Sequence, residues 1–435
     1  MYDLRIKGTC FVAGAWTDTS IYIEGEKIAR ITASDHAARR TIDANKALVI
    51  PGIIDPHVHF ELDLGGIVSV DDFYSGSVAA VHGGVTSIVD FLAPVDNARD
   101  LVKAYEERLA LAEKSVVDYA FHATIKDPKD DLEVFVRTMK TLDMHTLKLF
   151  TTYSDSDRRT YDRDIIELLK LSDRYDIVIL AHIENDDMIT IEDDMTYLDL
   201  PRSRPPESET IEALKLAGFV KAYGGTLYMV HLSSGRTLSA LVDNYPDILH
   251  RKFLIESCPQ YFTFTQDDLK KGDGELLTFA PPLRSKEEQE RLFELSHHID
   301  AFGTDHCAFM KADKRNRRLK DIPLGIGGVE HSFNVMYRHL GDPVIERMTR
   351  SVARIQRLKD KGELKAGYDA DLFFFEPEED VVLEGNHGTS DYSVYEGLKG
   401  KGRITHTMIR GSFVLDENGF HRRKGKLIRG GMNDG

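Results

Sequence analysis

The sequence predicts an α/β fold, in which a (β/α)8 TIM-like barrel carries a small β-sandwich domain formed from both termini. The first observation is a series of eight short apolar segments after residue 50, most of them separated by amphipathic stretches. The second is strand-like alternation of apolar and polar residues at both ends of the chain. Strands that alternate with helices build parallel sheets, and eight such units close into a barrel.

The two ends of the chain predict the smaller domain. Short apolar runs, for example at 11–13 and 21–25, alternate with polar residues and are divided by Gly and Asp turns. Strand patterning returns late in the chain, at 371–375 and 407–411. We therefore expect residues 1–50 and 355–435 to pair into one β-sandwich, with a frayed tail at 430–435.

Residues 51–354 predict the barrel. Its apolar segments have the length of buried parallel strands. They lie at 53–54, 87–89, 119–121, 147–150, 177–180, 227–230, 253–255 and 299–302. The stretches between them, such as 100–114, 164–172 and 207–223, have the period of amphipathic helices and predict the outer ring.

Composition and charge limit the possible partners. A chain of 435 residues with 42% hydrophobic residues suits a large barrel and one smaller domain. The formal net charge of −16 argues against nucleic acid, because phosphates are bound by clustered Lys and Arg. One basic run, at 311–320, is predicted to be a solvated or mobile loop.

The sequence also predicts a cytoplasmic protein with no membrane partner. No segment reaches about 18 uncharged apolar residues, and the amino terminus lacks the basic and apolar regions of a secretory signal. The cysteines, Cys10, Cys258 and Cys307, are too few for a disulfide framework, so we expect packed thiols in a reducing compartment.

Polar side chains follow five of the predicted barrel strands. They are His57 and His59, then Lys148, His182, His231 and Asp305. His57 and His59 are separated by one residue, so both can point to the same side of an extended segment and bind one metal ion. His182 and His231 would bind a second ion. Since the carboxyl ends of barrel strands meet at one face, the set predicts a two-metal hydrolytic site.

Each histidine alone could be a packed core residue or a surface residue. Five such segments at five strand ends of one barrel favour the metal site instead. Lys148 leaves two interpretations open. Its ammonium group could reach the strand end or pair with Asp305. Alternatively, burial lowers the pKa of a lysine, and a neutral amine can capture CO2 to form a carbamate whose two oxygens bridge two metal ions.

Two residues are candidates for the catalytic steps. Asp305 could ligate a metal ion and accept a proton from an attacking water. Tyr153, just beyond Lys148, could donate its phenolic hydrogen to the oxyanion of a tetrahedral intermediate. Packing of the Tyr153 ring on the barrel rim is the alternative for that residue.

With these residues in place, the chain resembles the amidohydrolase superfamily and, within it, the hydantoinase and dihydropyrimidinase group of cyclic amidases. The most specific motif is Pro-Gly-Ile-Ile-Asp-Pro-His-Val-His at 51–59. Further matching motifs lie at 71–77, 83–86, 147–150, 181–185, 203–207, 230–234, 257–261, 281–284, 304–307 and 361–372. The resemblance therefore runs nearly from end to end.

The resemblance implies a particular set of cofactors and roles. Lys148 would be carboxylated to N6-carboxylysine by CO2 and would bridge two zinc ions, or two other divalent ions. Tyr153 would be the oxyanion donor and Asp305 the proton shuttle. Ala280 and Leu324 stand where hydantoinases commonly have serine and asparagine, at positions that bind the ring amide largely through backbone groups. A homo-oligomer, either tetramer or dimer, is also implied.

A hydantoin or dihydropyrimidine ring is the small-molecule substrate that the resemblance favours. Dihydroorotases typically carry an arginine shortly after the first histidine pair, where this chain has Phe60-Glu61-Leu62. Allantoinases usually lack the Asp-Asp-Phe stretch present at 71–73 and the cysteine present as Cys307. An allantoinase or dihydroorotase remains an alternative, and so does a non-catalytic scaffold of the same group. Such scaffolds have lost metal ligands, whereas every ligand position is filled here.

The stretch at 60–64 leads to an expectation about charge. It offers apolar and acidic groups only, and a buried carboxylate without a partner is strongly penalised. We therefore expect a neutral ring to be preferred to dihydroorotate. Arg284 is the nearest cation in the motifs, and its position after two prolines predicts a structural role.

Overall fold

The computed structural model describes residues 1–431, with only the backbone described for Glu379. The chain begins with five strands of a terminal sheet. They are β1 (Tyr2–Val12), β2 (Ala15–Glu24), β3 (Lys27–Thr32), β4 (Ala38–Asp43) and β5 (Leu48–Pro51). Only Gly52 separates β5 from the first barrel strand, so the chain passes directly from one unit into the other.

The barrel follows. Its strands are β6 (Ile53–Val58), β7 (Val85–Phe91), β8 (Asp118–Thr124), β9 (Thr146–Phe150), β10 (Val178–His182), β11 (Leu227–Met229), β12 (Phe253–Ser257) and β13 (Ala301–Phe302). These eight strands are parallel and lie side by side in chain order. A parallel bridge between Val58 and His306 brings the first strand to the segment after the last one. The predicted barrel is therefore confirmed and nearly closed.

Helices surround the barrel. They are α1 (Phe73–His82), α2 (Ala98–Ala112), α3 (Leu132–Thr141), α4 (Asp162–Tyr175), α5 (Leu200–Ser203), α6 (Pro206–Tyr223), α7 (Gly235–Asn244), α8 (Pro259–Thr263), α9 (Lys286–Glu294), α10 (Lys311–Lys314), α11 (Ser332–Leu340), α12 (Pro343–Arg347) and α13 (Arg350–Ile355). Short 3-10 turns lie at Ser154–Ser156, Asp186–Met188, Tyr197–Asp199, Gln266–Lys270, Gly274–Leu277, Ser296–His298 and Leu319–Asp321. Side-chain caps begin several helices, as where the Asn97 side chain accepts the Asp100 N–H at 2.9 Å.

The barrel strands are buried on both faces, and their alternation decides which residues face the interior. In β10, Ile179 and Ala181 belong to the large core between strands and helices. Val178 and Leu180 belong to a second cluster, which includes residues of α13. His182 shares the face of Val178 and Leu180, so its imidazole projects inward at the carboxyl end of the strand.

The last strands return to the terminal sheet. They are β14 (Leu372–Val382), β15 (Lys399–Ile409), β16 (Ser412–Asp416) and β17 (Gly419–Phe420). β14 pairs antiparallel with β5, and this joins the two ends of the chain in one nine-stranded mixed sheet. The order is β17-β16-β15-β14-β5-β1-β2-β3, with β4 alongside β1. The prediction that both termini build one β unit is confirmed.

The structure limits two predictions about surface segments. Most residues of the basic run at 311–320 are exposed, as predicted. Within that run, however, Lys314 is fully buried, and its ammonium group donates to the carbonyl oxygens of Thr278 at 2.7 Å and Pro323 at 3.1 Å. The predicted tail is held at its start, since the Gly430 N–H donates to the Asp143 carboxylate at 3.1 Å. Residues 432–435 of that tail lie outside the described residues. Among residues 1–431, no helix has the length and hydrophobicity required to cross a membrane.

A buried lysine joins the sheet to the barrel. The Nζ atom of Lys361 lies 2.6 Å from carboxylate oxygens of Asp118 and Asp371 and 2.9 Å from one of Asp369. Asp118 begins β8 at the amino end of the barrel, whereas Asp371 precedes β14 of the sheet. Lys361 therefore supplies a cation to all three carboxylates, while Arg410 also pairs with Asp118 and Lys27 with Asp369.

Replacing Lys361 with Met should destabilise the protein by about 3–5 kcal/mol, because it leaves the buried carboxylate of Asp371 without its ion-pair partner. Urea unfolding followed by circular dichroism would measure the change in the free energy of unfolding. Lys359→Met removes a charge from an exposed lysine nearby and is the control. Equal stability of the two variants would show that the junction does not depend on Lys361.

Candidate active site

The structure brings all the predicted site residues to one cavity at the carboxyl ends of the barrel strands. Its volume is about 130 Å³. The residues in question are His57, His59, Lys148, Tyr153, His182, His231, Ala280, Asp305 and Leu324. A cavity of roughly 150 Å³ can hold benzene, so this one is large enough for a small ring.

Three of these residues have left-handed backbone conformations. Tyr153 has φ 70°, His231 has φ 41° and Asp305 has φ 53°. For residues other than glycine this conformation costs on the order of 1–2 kcal/mol. Such strain concentrates at functional sites, where the surrounding structure holds the side chain in a required direction. Among residues 1–431, fifteen residues other than glycine have a positive φ, and these three line the same cavity.

The first group of donor atoms comes from the first and last strands. The Nε2 atoms of His57 and His59 each lie 3.2 Å from Oδ1 of Asp305. His57 Nε2 is buried and has no hydrogen-bond partner among the described residues. Two imidazole nitrogens and a carboxylate oxygen thus converge on one point, as the ligands of a metal ion would.

The second group consists of His182 and His231. His182 Nδ1 lies 3.0 Å from His231 Nε2. The other ring nitrogen of His182, Nε2, lies 2.6 Å from a carboxylate oxygen of Glu184. Donation of the Nε2 proton to Glu184 leaves the Nδ1 lone pair directed toward His231. The two facing nitrogens could therefore hold a second ion.

Burial keeps these imidazoles neutral. It lowers the pKa of His182, and it lowers the pKa values of His57 and His231 well below the usual range. For Asp305, burial raises the pKa, but the nearby imidazoles of His57 and His59 outweigh it, so the pKa of Asp305 is lowered. The site thus presents the neutral nitrogens of His57, His182 and His231 and the ionised carboxylate of Asp305, and zinc binds such ligands.

Lys148 lies between His59 and His182 in chain order and is only 2% exposed. Burial lowers its pKa to about 8, against the attraction of Asp305 and Glu256. Its Nζ atom lies 5.2 Å and 5.3 Å from the ring centroids of Phe91 and Phe150. The Asp305 carboxylate lies 3.2 Å from the imidazoles of both His57 and His59. Lys148 therefore does not reach solvent, while the attraction of Asp305 shows that the two groups lie near each other.

Carboxylates behind the ligands fix the ring orientations. The Nδ1 atom of His57 lies 2.8 Å from Glu256, which also accepts the Tyr228 hydroxyl at 2.8 Å. Burial raises the pKa of Glu256 to about 7. Outer partners of this kind orient metal-binding histidines. Sequence reasoning missed Glu256, because it is separated from His57 by 199 positions.

Glu184 and Arg204 form a second support that the sequence analysis also missed. Arg204 Nε donates to Glu184 at 3.1 Å, and the guanidinium carbon of Arg204 lies 5.0 Å from the centroid of the Tyr153 ring. Although burial opposes ionisation of Glu184, Arg204 and His182 hold its pKa well below the usual range. The sequence did contain a signal for this pair, because Glu184 and Arg204 lie in two of the motifs that carry the family resemblance, at 181–185 and 203–207.

Tyr153 faces the same cavity as the candidate ligands. Its ring centroid lies 5.1 Å from that of His182. Burial raises the pKa of Tyr153 to about 12, against the opposing influence of Arg204. The phenol therefore keeps its hydrogen and can act as a hydrogen-bond donor.

The cavity wall corrects the expectation about charge. Leu62, Leu64 and Phe150 supply the predicted apolar surface, but Arg158 also lines the cavity. The stretch at 60–64 offers no cation, as expected, but the predicted preference for a neutral ring does not take Arg158 into account. Arg158 was missed because sequence periodicity does not tell which arginine of a loop faces inward. Arg284 is buried and donates to Ser233 Oγ at 2.9 Å, as its predicted structural role requires.

These features define an α/β barrel with a candidate metal centre at the carboxyl ends of its strands. The chain belongs to the amidohydrolase family, whose sequence profile matches residues 48–414.

Individual relatives narrow this assignment. A D-hydantoinase of Rhizobium radiobacter is 31% identical over 446 aligned positions, which cover 96% of this chain and 96% of that protein. The structure of a D-hydantoinase (dihydropyrimidinase) from Thermus sp. has a TM-score of 0.91 at 28% identity, covering 98% of this chain and 99% of that one. The structure of a dihydropyrimidinase from Brevibacillus agri has a TM-score of 0.90 at 26% identity, covering 98% of this chain and 98% of that one. The predicted place in the hydantoinase group is confirmed.

Proposed function

We propose that this protein is a two-metal cyclic amidase that opens a hydantoin or dihydropyrimidine ring. The observation that carries the proposal is the convergence of four imidazoles, the Asp305 carboxylate and the buried Lys148 on one cavity. Similarity over nearly the whole chain to a D-hydantoinase supports the choice of ring.

The proposed metal centre uses both groups of donors. His57, His59 and Asp305 would hold one ion, and His182 with His231 would hold the other; we propose zinc for both. The buried Nε2 atom of His57, which has no described hydrogen-bond partner, fits this role. Divalent ions bound there would supply Lewis acidity and would lower the pKa of water.

Lys148 is proposed to be carboxylated. Its neutral amine would attack CO2 and lose a proton, which converts the side chain into a carbamate with two anionic oxygens. The carbamate oxygens would offer lone pairs to the ions held by the two groups of donors, whereas an ammonium group has no lone pair to offer. Burial of Lys148 without a described ion pair to Asp305 supports this chemistry.

The remaining residues would act on the substrate. Asp305 would accept a proton from the attacking water and pass it to the ring nitrogen as the carbon–nitrogen bond breaks. Tyr153 would donate a hydrogen bond to the carbonyl oxygen as negative charge develops on it. Backbone groups at Ala280 and Leu324, which line the cavity, would hold the ring amide. The product is an open-chain N-carbamoyl acid.

We also propose that the protein is cytoplasmic and forms a homo-oligomer. The cysteines of the described chain, Cys10, Cys258 and Cys307, are buried free thiols, which suits the reducing cytoplasm. A dimer or tetramer of this chain is the proposed assembly, and its mass in solution would decide between them.

The proposed activity predicts turnover of hydantoin or dihydrouracil by the purified protein. Two metal ions per chain are expected, and chelation should abolish turnover until zinc is restored. Ring opening can be followed by the loss of ultraviolet absorbance, and metal content by mass spectrometry. Faster turnover of allantoin than of every other ring would favour an allantoinase. A chain that binds no stoichiometric metal would be a scaffold.

Lys148→Ala should lose metal and activity together, since it removes the proposed bridge between the two groups of donors. Short carboxylic acids added to the solution should restore part of both. Lys170→Ala, which alters an exposed lysine of α4, is the control. Full metal content and turnover in Lys148→Ala would refute the bridging role.

Tyr153→Phe should lower turnover by about 10²–10³ and leave the metal content unchanged, because it removes only an oxyanion donor. The measurement is kcat together with metal content. Tyr161 is 48% exposed, so Tyr161→Phe is the control for the loss of a phenolic hydroxyl near the site. Loss of metal from Tyr153→Phe, or turnover equal to that of the unmodified protein, would contradict the assignment.

A further inference from the structure

The proposed reaction assigns no role to one charged group of the cavity. Arg158 lines the cavity together with His59, Leu64 and Tyr153, and it is partly buried. Within residues 1–431 no hydrogen bond or ion pair is described for its guanidinium. A cation held partly out of water without a partner is unfavourable, so the position requires an explanation.

The neighbouring arginines show that this situation is particular to Arg158. Arg159 Nη1 lies 3.3 Å from Asp186, and its guanidinium lies over the Tyr161 ring at 5.2 Å from the centroid. Arg163 is 93% exposed and pairs with Asp164. Successive side chains of an extended segment point to opposite sides. Arg159 is thus turned toward the scaffold, while Arg158 faces the cavity.

Backbone contacts hold the loop that carries Arg158. The Arg158 N–H donates to the carbonyl oxygen of Tyr153 at 3.1 Å, and the Thr160 N–H donates to that of Phe150 at 2.8 Å. A parallel bridge joins Phe150 to Arg159. The loop therefore returns to the strand end that bears Lys148, and Arg158 is placed on the same side of the cavity as Tyr153.

The remaining groups of the cavity do not neutralise Arg158. Asp63 also lines the cavity, but it is exposed, and its carboxylate accepts the Gly65 N–H at 2.8 Å. The Asp305 carboxylate is turned toward the imidazoles of His57 and His59, at 3.2 Å from each. The rest of the nearby wall is apolar, with Leu62, Leu64 and Phe150. Arg158 is thus a cation beside a surface that would accept methylene groups.

We infer that Arg158 binds a carboxylate of the substrate, so that the protein acts on cyclic amides that carry an acidic substituent. This inference rests on the proposed function. A guanidinium and a carboxylate match in a planar, bidentate arrangement, and the apolar wall would pack against the carbon arm between acid and ring. The net charge of −16 repels an anionic substrate over long range, and a cation in the cavity would offset this repulsion locally.

The experiment compares pairs of substrates that differ in one charge. Hydantoin bearing a 5-carboxyethyl group is compared with its carboxamide, and dihydroorotate is compared with dihydrouracil. The unmodified protein should have a higher kcat/KM for at least one acid than for its neutral partner. Arg158→Gln should lower this acid-to-neutral ratio by roughly 10- to 100-fold, mainly through KM, since a hydrogen bond to a charged group is lost.

Matched variants separate recognition from general charge effects. Arg163→Gln removes the same charge from an exposed position and should leave the ratio unchanged. Arg158→Lys should retain part of the preference, because it keeps the charge and loses the bidentate geometry. Arg158→Glu should reverse the preference, toward a hydantoin with an aminoalkyl arm.

The outcomes distinguish this inference from the proposed function. Turnover of hydantoin without any preference for an acid, or an equal ratio in the unmodified protein and Arg158→Gln, would overturn the role of Arg158 alone. Absence of turnover for every ring, in protein that contains its metal, would overturn both. A preference for the carboxyethyl substrate alone would place the acid on an arm, and a preference for dihydroorotate would place it on the ring.

Discussion

Closure of the barrel is the constraint on which the site depends. The His59 N–H donates to the carbonyl oxygen of His306 at 2.7 Å, across the gap between the first strand and the segment after the last. Asp55 reinforces the junction, since its carboxylate accepts the Thr304 N–H at 3.1 Å and the Thr304 hydroxyl at 2.5 Å. These contacts bring the imidazoles of His57 and His59 to the carboxylate of Asp305. They therefore assemble the first group of donor atoms.

The chemistry of the site follows from burial combined with fixed orientation. Glu256 holds the outer nitrogen of His57, and Glu184 holds that of His182, so the opposite nitrogens are directed inward before any ligand arrives. The neutral imidazole of His57 offers a lone pair, and the ionised carboxylate of Asp305 offers negative charge. No proton lies between the two groups to occupy these positions. Cations are the natural complement of such a cavity. Preorganised donors of this kind lose little entropy on binding a metal ion.

Stability and specificity are built at opposite ends of the barrel. At the amino end, Lys361 joins Asp118 of the barrel to Asp371 of the terminal sheet in a buried ionic cluster. At the carboxyl end, loops after the strands carry Tyr153 and Arg158 into the cavity. Because the loops contribute little to the ionic junction, their side chains can change without loss of the fold. This separation explains how a family scaffold can carry a wall residue such as Arg158.

The sequence by itself determined the order of the elements and the identity of the ligand-type residues. Apolar periodicity is local, so it located the eight barrel strands, and polar residues at their tips marked His182 and Asp305 in advance. Tertiary structure alone decided which distant groups support them, as with Glu256 behind His57, because partners 199 positions apart leave no local pattern. It also decided that Lys314 is buried and that Arg158, not Arg159, faces the cavity. Those outcomes depend on how loops pack against the closed barrel, and composition does not encode that packing.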